Sequence, residues 1–519
     1  MPTSNFTTLD WIIVAVYLLS TVGIGIYVNR FIHGMGDFLV AGRALKTRLG
    51  IATMVGSELG LVTAMFMAQK GFTGGFAAFH IGVLAGIATF AVGITGFIVV
   101  PLRELRIATI PEYYERRFKS RNLRIFGGLI LALSGILNMG MFLKAGAIFL
   151  TGLTGLSDPT MINWVMTVMI VLVLAYTALG GMVSVIITDY VQFVVLSFGL
   201  LLACAISIYK LGWSNIVEQV TTVHGDAGFN PLVEDAGFGP NYMAWMLFVG
   251  LISCAVWQTA VMRACAAESA DVVRRLYKWS SLGFVMRCVL PQFLGICALT
   301  YFFQNPEMGS HFFTGDGAIV SEHSLGAMPM FLSQILPIGI IGLVGAGMLA
   351  AFMSTHDTYL LCWASVLVED VVAPICDDQL SQKARLLLTR LFLVLIAGFL
   401  LIWSMWYELG QDLWDYMAVS GAIYFTGAFA ILLGGIYWKK ASCMGAWVAL
   451  LCGTSAVLGL APIQEALHLA DFFKSKGLGG PEIGLGAVAL SVVGLYVGSI
   501  LVPDPEEPTA PETTHPISS

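Results

Sequence analysis

Four ionisable residues stand inside long apolar runs of this 519-residue chain: Glu58, Lys144, Asp189 and Asp357. A charge in a bilayer costs several kcal/mol unless it faces a cavity or a partner, so each is a candidate functional group. A second pattern lies beside Asp357. Ala351, Ser354 and Thr355 fall at i, i+3 and i+4, on one helical face, and offer a backbone carbonyl and two hydroxyls. Hard cations bind oxygen, and Na+ is satisfied by about five neutral or anionic oxygens without a full carboxylate cage. In "MVGSELGL", Gly56 and Gly60 permit an unwound turn whose freed carbonyls supply further ligands, although the same spacing also makes a packing face. Two bland readings stand beside these. Ser354 and Thr355 can each satisfy their own i−4 carbonyl, and Glu58 can pair with Lys144 for structure alone.

The elements that position these residues are membrane helices. The chain is 57% hydrophobic and 11% charged, where soluble domains carry about 25% charged residues. Its mean hydropathy of +0.84 agrees. Applying a length of about 20 apolar residues per crossing gives an all-α polytopic protein with about thirteen spans. Residues 1–502 read as one transmembrane domain, and the Pro-rich acidic 503–519 as a disordered cytoplasmic tail. The first apolar run lacks a basic flank and a cleavage pattern, so it reads as a retained anchor. The nine cysteines fall mostly inside spans and form neither a disulfide framework nor a zinc pattern. The net charge of −6 is confined to short loops and the tail, which argues against nucleic acid as a ligand.

Orientation follows from Lys and Arg, which accumulate on the cytoplasmic side. One set of alternate loops holds most of the 26 basic residues, including Arg103, Arg106, Arg116, Arg117, Arg263, Arg274 and Arg275. This places the N-terminus outside and the C-terminus inside. Counting at 1.5 Å per residue then puts Glu58 roughly 14 Å into its span, near the midplane, and Asp189 about 9 Å deep in the inner half. The segment "AAFMSTHDT" lies in the same inner half. One ion or solute can therefore reach all three segments. Arg287, in the eighth span, is a further intramembrane charge without an assigned role.

Five stretches resemble the sodium/solute symporter family, and are closest in motif to its bacterial proline-type members. They are "AGRAL" (41–45), "TIPEYYERRF" (109–118), "GGMVSVIITDYVQ" (180–192), "WQTAVMRACAAES" (257–269), and "AAFMSTHDTYLL" followed by Glu369 and Asp370. The resemblance implies a leucine-transporter-like fold: two five-helix inverted repeats, at about 49–209 and 242–436, with one helix before and two after, and alternating access around a midplane site. It also implies Na+ as the coupling ion, held by the carbonyls of Gly56, Leu59 and Ala351 and the hydroxyls of Ser354 and Thr355. Asp189 maps onto an aspartate that belongs to a second ion site in some members. The implied substrate wall comprises Ser57, Glu58, Thr63, Trp257 and Gln258, with Lys144 and Asp357 as more speculative neighbours. Gly82 and Ala85 stand where the bacterial sugar symporter presents polar side chains, which disfavours a sugar. Glu58 and His356 depart from the family's usual residues.

The leading expectation is Na+-coupled uptake of a small organic solute, an amino acid or small carboxylate before a sugar, by a multi-pass protein of the cell membrane. Its partners are the solute and the lipid bilayer, with no obligate protein partner implied. The alternative is a membrane solute receptor that signals through a separate chain. An enzyme is disfavoured, because no H-E-x-x-H or Ser-His arrangement occurs at a plausible depth.

Overall fold

The computed structural model describes residues 4–29, 45–156, 159–233, 237–315, 317–407 and 413–505. The described residues are helical with short turns, and the only β contacts among them are isolated bridges. The principal helices are α1 (Thr8–Asn29), α2 (Thr47–Glu58), α3 (Leu61–Gly74), α4 (Phe79–Thr95), α5 (Ile110–Phe118), α6 (Arg121–Asn138), α7 (Phe142–Thr154), α8 (Pro159–Leu211), α9 (Pro240–Ala255), α10 (Gln258–Ala266), α11 (Ala270–Gln304), α12 (Ile340–Val366), α13 (Gln382–Trp406), α14 (Leu413–Tyr437), α15 (Cys443–Gly453) and α16 (Gly480–Leu501).

Among the described residues, eight helical stretches are long and apolar enough to cross a membrane, or nine when α9 and α10 count as one bent span. The expectation of about thirteen spans is therefore not reproduced by helix length. The difference has physical causes. α2 ends at Leu59 and is short, while α3 and α4 count together as one stretch, Leu61–Thr95. α8 runs unbroken over Pro159–Leu211, long enough for more than one crossing. α15 passes into a 3-10 turn over Thr454–Gly459 instead of continuing as a full-length helix.

The core of the bundle is the polar-bearing helix α12, in which almost every side chain is buried. Its start is fixed from α1. Asp10, fully buried, accepts the backbone N–H groups of Gly339 (2.7 Å) and Gly342 (2.9 Å), so its carboxylate caps the end where helical N–H groups lack partners. α8, α3 and α2 pack against α12, while α4 and α3 pack against the long α11. Small residues let these backbones approach: a Cβ on Gly71 would lie 1.9 Å from the Gln292 carbonyl, and one on Gly295 would lie 1.9 Å from that of Ala68.

Several of the family-like motifs contact one another. Leu45 of "AGRAL" bridges to Ala267 of "AAES", with Leu45 N–H on the Ala266 carbonyl and Glu268 N–H on that of Leu45. Thr109 donates to Asp370 (2.8 Å), and Arg124 binds both Asp370 (2.9 Å) and Glu115 (2.7 Å). Arg385 pairs with Glu369. These contacts tie the helices that carry the motifs together. In the predicted tail, Asp504 accepts the Cys443 N–H at 2.9 Å and so caps α15; residues 506–519 lie outside the described residues.

Candidate functional site

Two helices are broken near the buried charges. α2 ends at Leu59 (φ −87°, ψ 63°) and α3 begins after an extended Gly60 (φ −89°, ψ 167°). The break removes the i+4 donors from the carbonyls of Gly56 to Leu59, which are then available to other partners. Glycine is required here for space. A Cβ on Gly60 would lie 2.2 Å from Thr355 Oγ1, and one on Gly56 would lie 2.9 Å from the Asp189 carbonyl. The second break separates α9 from α10, bent by 41° at extended Trp257. No Gly or Pro stands at this turn. Trp257 is instead held by its packing: its Nε1–H donates to Tyr359 (3.1 Å), and its ring meets Trp363 edge-on at 5.3 Å.

The segment at residues 56–60, Asp189 and the Ala351–Thr355 face are brought together as the sequence predicts. Ser354 donates to Asp189 Oδ1, and Gln192 Nε2 reaches the Gly56 carbonyl at 3.4 Å. Thr355 donates to the Ala351 carbonyl (2.9 Å), the i−4 bond of the bland reading, while its oxygen sits against Gly60. Hydroxyls and carbonyls with one carboxylate a bond away are a donor set suited to a hard monovalent cation.

Asp189 has a partner that sequence reasoning assigned to a loop. Arg263 of α10 is 1% exposed, and its Nη2 lies 3.4 Å from Asp189 Oδ2. The same guanidinium reaches the Thr53 and Thr358 hydroxyls (3.3 and 3.4 Å) and the Thr259 carbonyl (3.0 Å), and Thr53 donates to Asp189 at 2.6 Å. The position that the resemblance gives to a second ion therefore holds a tethered cation.

Glu58 also has a different partner from the one expected. Arg287 Nη1 binds Glu58 Oε2 at 2.7 Å, with the side chains 8% and 14% exposed. Lys144 instead donates to the Tyr407 carbonyl (2.8 Å) at the end of α13. The sequence places both cations at workable depths and does not say which way either side chain turns. Glu58 and Arg287 line a cavity of about 80 Å³, together with Thr63, Phe142, Trp257, Thr355, Tyr359 and other mainly apolar side chains. Thr63 lines it through its methyl-bearing side chain while its hydroxyl donates to the Glu58 carbonyl at 2.7 Å, capping the broken end of α2.

Three further expectations are placed elsewhere. Gln258 is fully buried and braces the turn before α5, accepting the Ile110 N–H (3.0 Å) and donating to the Ala108 carbonyl (3.1 Å); it is not among the cavity-lining residues. Asp357 is 1% exposed, and its carboxyl oxygens have no hydrogen-bond partner among the described residues. His356 packs on Phe352 (ring centroids 3.9 Å) and bonds to that residue's carbonyl. The Ser57 side chain and those of residues 178–188 lie outside the described residues.

The model of the sodium:solute symporter family matches residues 38–453. The sodium/sialic acid symporter of Aliivibrio fischeri is 25% identical over 489 residues, covering 91% of each chain. The high-affinity proline transporter of Bacillus subtilis is 22% identical, covering 93% of this chain and 96% of its own length. Among solved structures, a substrate-bound, outward-open Na+-coupled sialic acid symporter superposes with a TM-score of 0.77 at 20% identity, over 96% of this chain and 98% of that one. The likeness gives the leucine-transporter-like fold class for this bundle.

Proposed function

The chain belongs to the sodium:solute symporter family, and from that premise we propose that its solute is an amino acid or small carboxylate bound in the Glu58–Arg287 cavity. Membership makes it a multi-pass membrane transporter and not an enzyme, with Na+ as the coupling ion and a small molecule as cargo. The observation that carries the solute class is Arg287: a guanidinium at a cavity wall is a planar donor for a carboxylate. The solutes of the two relatives named above fit the class, sialic acid and proline both being carboxylates.

The proposed Na+ ligands are the carbonyls of Gly56, Leu59 and Ala351 and the hydroxyls of Ser354 and Thr355. Thr355 faces the cavity, so ion and solute sites adjoin at the break between α2 and α3. Binding of Na+ there would fix the break in the form that shapes the solute site, and rocking of a helical bundle would alternate access. The repeats at about 49–209 and 242–436, with the N-terminus outside and the C-terminus in the cytoplasm of a cell-membrane protein, complete the proposal.

The test is accumulation of amino acids and monocarboxylates by proteoliposomes under an imposed Na+ gradient. Accumulation that collapses with the gradient and is lost in Ser354→Ala with Thr355→Ala supports the reading. Saturable binding without counterflow would favour a receptor.

A further inference from the structure

We propose that the transported solute is a zwitterion whose carboxylate and ammonium groups replace the two halves of the Glu58–Arg287 ion pair; this rests on reading the cavity as the solute site. Glu58 and Arg287 are the only charged residues among the described residues lining it. They meet at 2.7 Å and are nearly excluded from solvent. The other polar groups are already engaged within the protein. Thr63 donates to the Glu58 carbonyl, Ser253 to that of Gly250 (3.1 Å), Thr355 to that of Ala351, and Asn138 to that of Met417 (2.7 Å). Recognition by charge must therefore come from the pair.

A pair so placed restricts what can displace it. A monocarboxylate that takes Arg287 leaves the Glu58 carboxylate buried without a partner and beside a second anion. An amine that takes Glu58 leaves Arg287 in the same condition. Breaking a buried pair from one side is the strongly unfavourable case, because the abandoned charge has neither water nor counter-ion. A sugar supplies neither charge. A zwitterion supplies both, so each protein group exchanges one counter-charge for another and the cavity's net charge does not change.

The surroundings match this division. Arg287 has donor capacity beyond its bond to Glu58, since its buried Nε–H has no hydrogen-bond partner among the described residues. Its guanidinium carbon lies 4.1 Å from the centroid of the Phe284 ring, which holds the plane in one orientation. Aromatic faces of Phe142, Trp257 and Tyr359 line the same space and suit an ammonium group or the apolar body of the solute.

The experiment measures Na+-dependent thermal stabilisation of the purified full-length protein by the common amino acids and betaines at millimolar concentration. Each is tested beside its decarboxylated amine and its deaminated acid. The expected result is stabilisation by at least one zwitterion, with both singly charged relatives bound about 100-fold more weakly or worse. Glu58→Gln is expected to narrow that gap for the acid, and Arg287→Gln for the amine. Equal stabilisation by a zwitterion and its deaminated acid, a preference for a neutral sugar, or no response to any zwitterion would overturn the proposal. Ala418→Phe, which fills the cavity, separates the two levels. If it abolishes uptake of a non-zwitterionic solute, the cavity is the solute site and only the zwitterion is wrong. If it leaves Na+-driven uptake unchanged, the site itself is elsewhere and both readings fall.

Discussion

Asp189 and Arg263 form an ion pair at 3.4 Å between side chains 0% and 1% exposed. The pair joins α8 to α10 and passes through the Thr53 and Ser354 hydroxyls to α2 and α12. It therefore spans the helices that would carry the ion.

Removing the cation should expose the cost of that arrangement. Arg263→Met leaves a buried carboxylate uncompensated and is expected to cost about 3–5 kcal/mol. Thermal unfolding of the purified protein measures this. The double variant with Asp189→Asn is expected to recover part of the loss, because no charge is then abandoned. Equal stability of Arg263→Met and wild type would show that Asp189 does not depend on this partner.

Gly60 permits a sharper test of the ion site. Alanine there would bring Cβ to 2.2 Å from Thr355 Oγ1, so either the break or the hydroxyl must move. Gly60→Ala is expected to weaken Na+ dependence of solute binding at least about 10-fold while the protein still folds. Gly398→Ala is the matched control: nothing lies within 4 Å of a Cβ there, and in a helix alanine is favoured over glycine by about 1 kcal/mol. Its Na+ dependence should be that of wild type.

Between α11 and α12, His311 stacks on His323 at 4.0 Å with rings 6° from parallel, and His323 Nδ1 contacts the His311 carbonyl at 2.8 Å. Burial, and then the neighbouring His323, hold His311 below the ordinary imidazole value of 6.5. The folded loop thus binds this proton more weakly than the unfolded chain. Its contribution to stability is complete above the unfolded value and is lost as pH falls through the folded one. Protection factors for hydrogen exchange over residues 305–326, which remove the base catalysis of exchange itself, should be lower at about pH 5 than at about pH 7.5, and His311→Gln should remove that difference. An unchanged difference in the variant would place the titrating group elsewhere.

Much of this arrangement was legible in the sequence because it rests on local signals. The Gly56–Gly60 spacing allowed a break as well as a packing face, and helical periodicity placed Ala351, Ser354 and Thr355 on one face. Rise per residue brought Asp189 to the depth of that face. What was not legible depends on where a chain turns in three dimensions. Arg263 stands in a basic, motif-rich stretch that reads as a cytoplasmic loop, yet the bend at Trp257 returns α10 into the bundle and buries it. Gln258 adjoins the same bend, but its side chain turns to the Ala108–Ile110 backbone. The sequence offered Glu58 only Lys144 as a pair and gave Arg287 no role; packing of α11 against α2 and α3 is what brings Arg287 to Glu58. Helix length alone does not reproduce the count of spans for a related reason, since hydropathy registers apolar length and not whether a helix breaks or runs on.

The central claim is that an ion at the α2–α3 break and a solute in the adjoining cavity are energetically coupled. Reciprocal binding measured by calorimetry tests it most directly, because linkage requires each ligand to change the other's affinity by the same factor. The account predicts that Na+ tightens solute binding about 5- to 150-fold, that the solute tightens Na+ binding equally, and that the factor falls towards one in Ser354→Ala with Thr355→Ala. A factor of one in the wild-type protein, with both ligands bound, would contradict it.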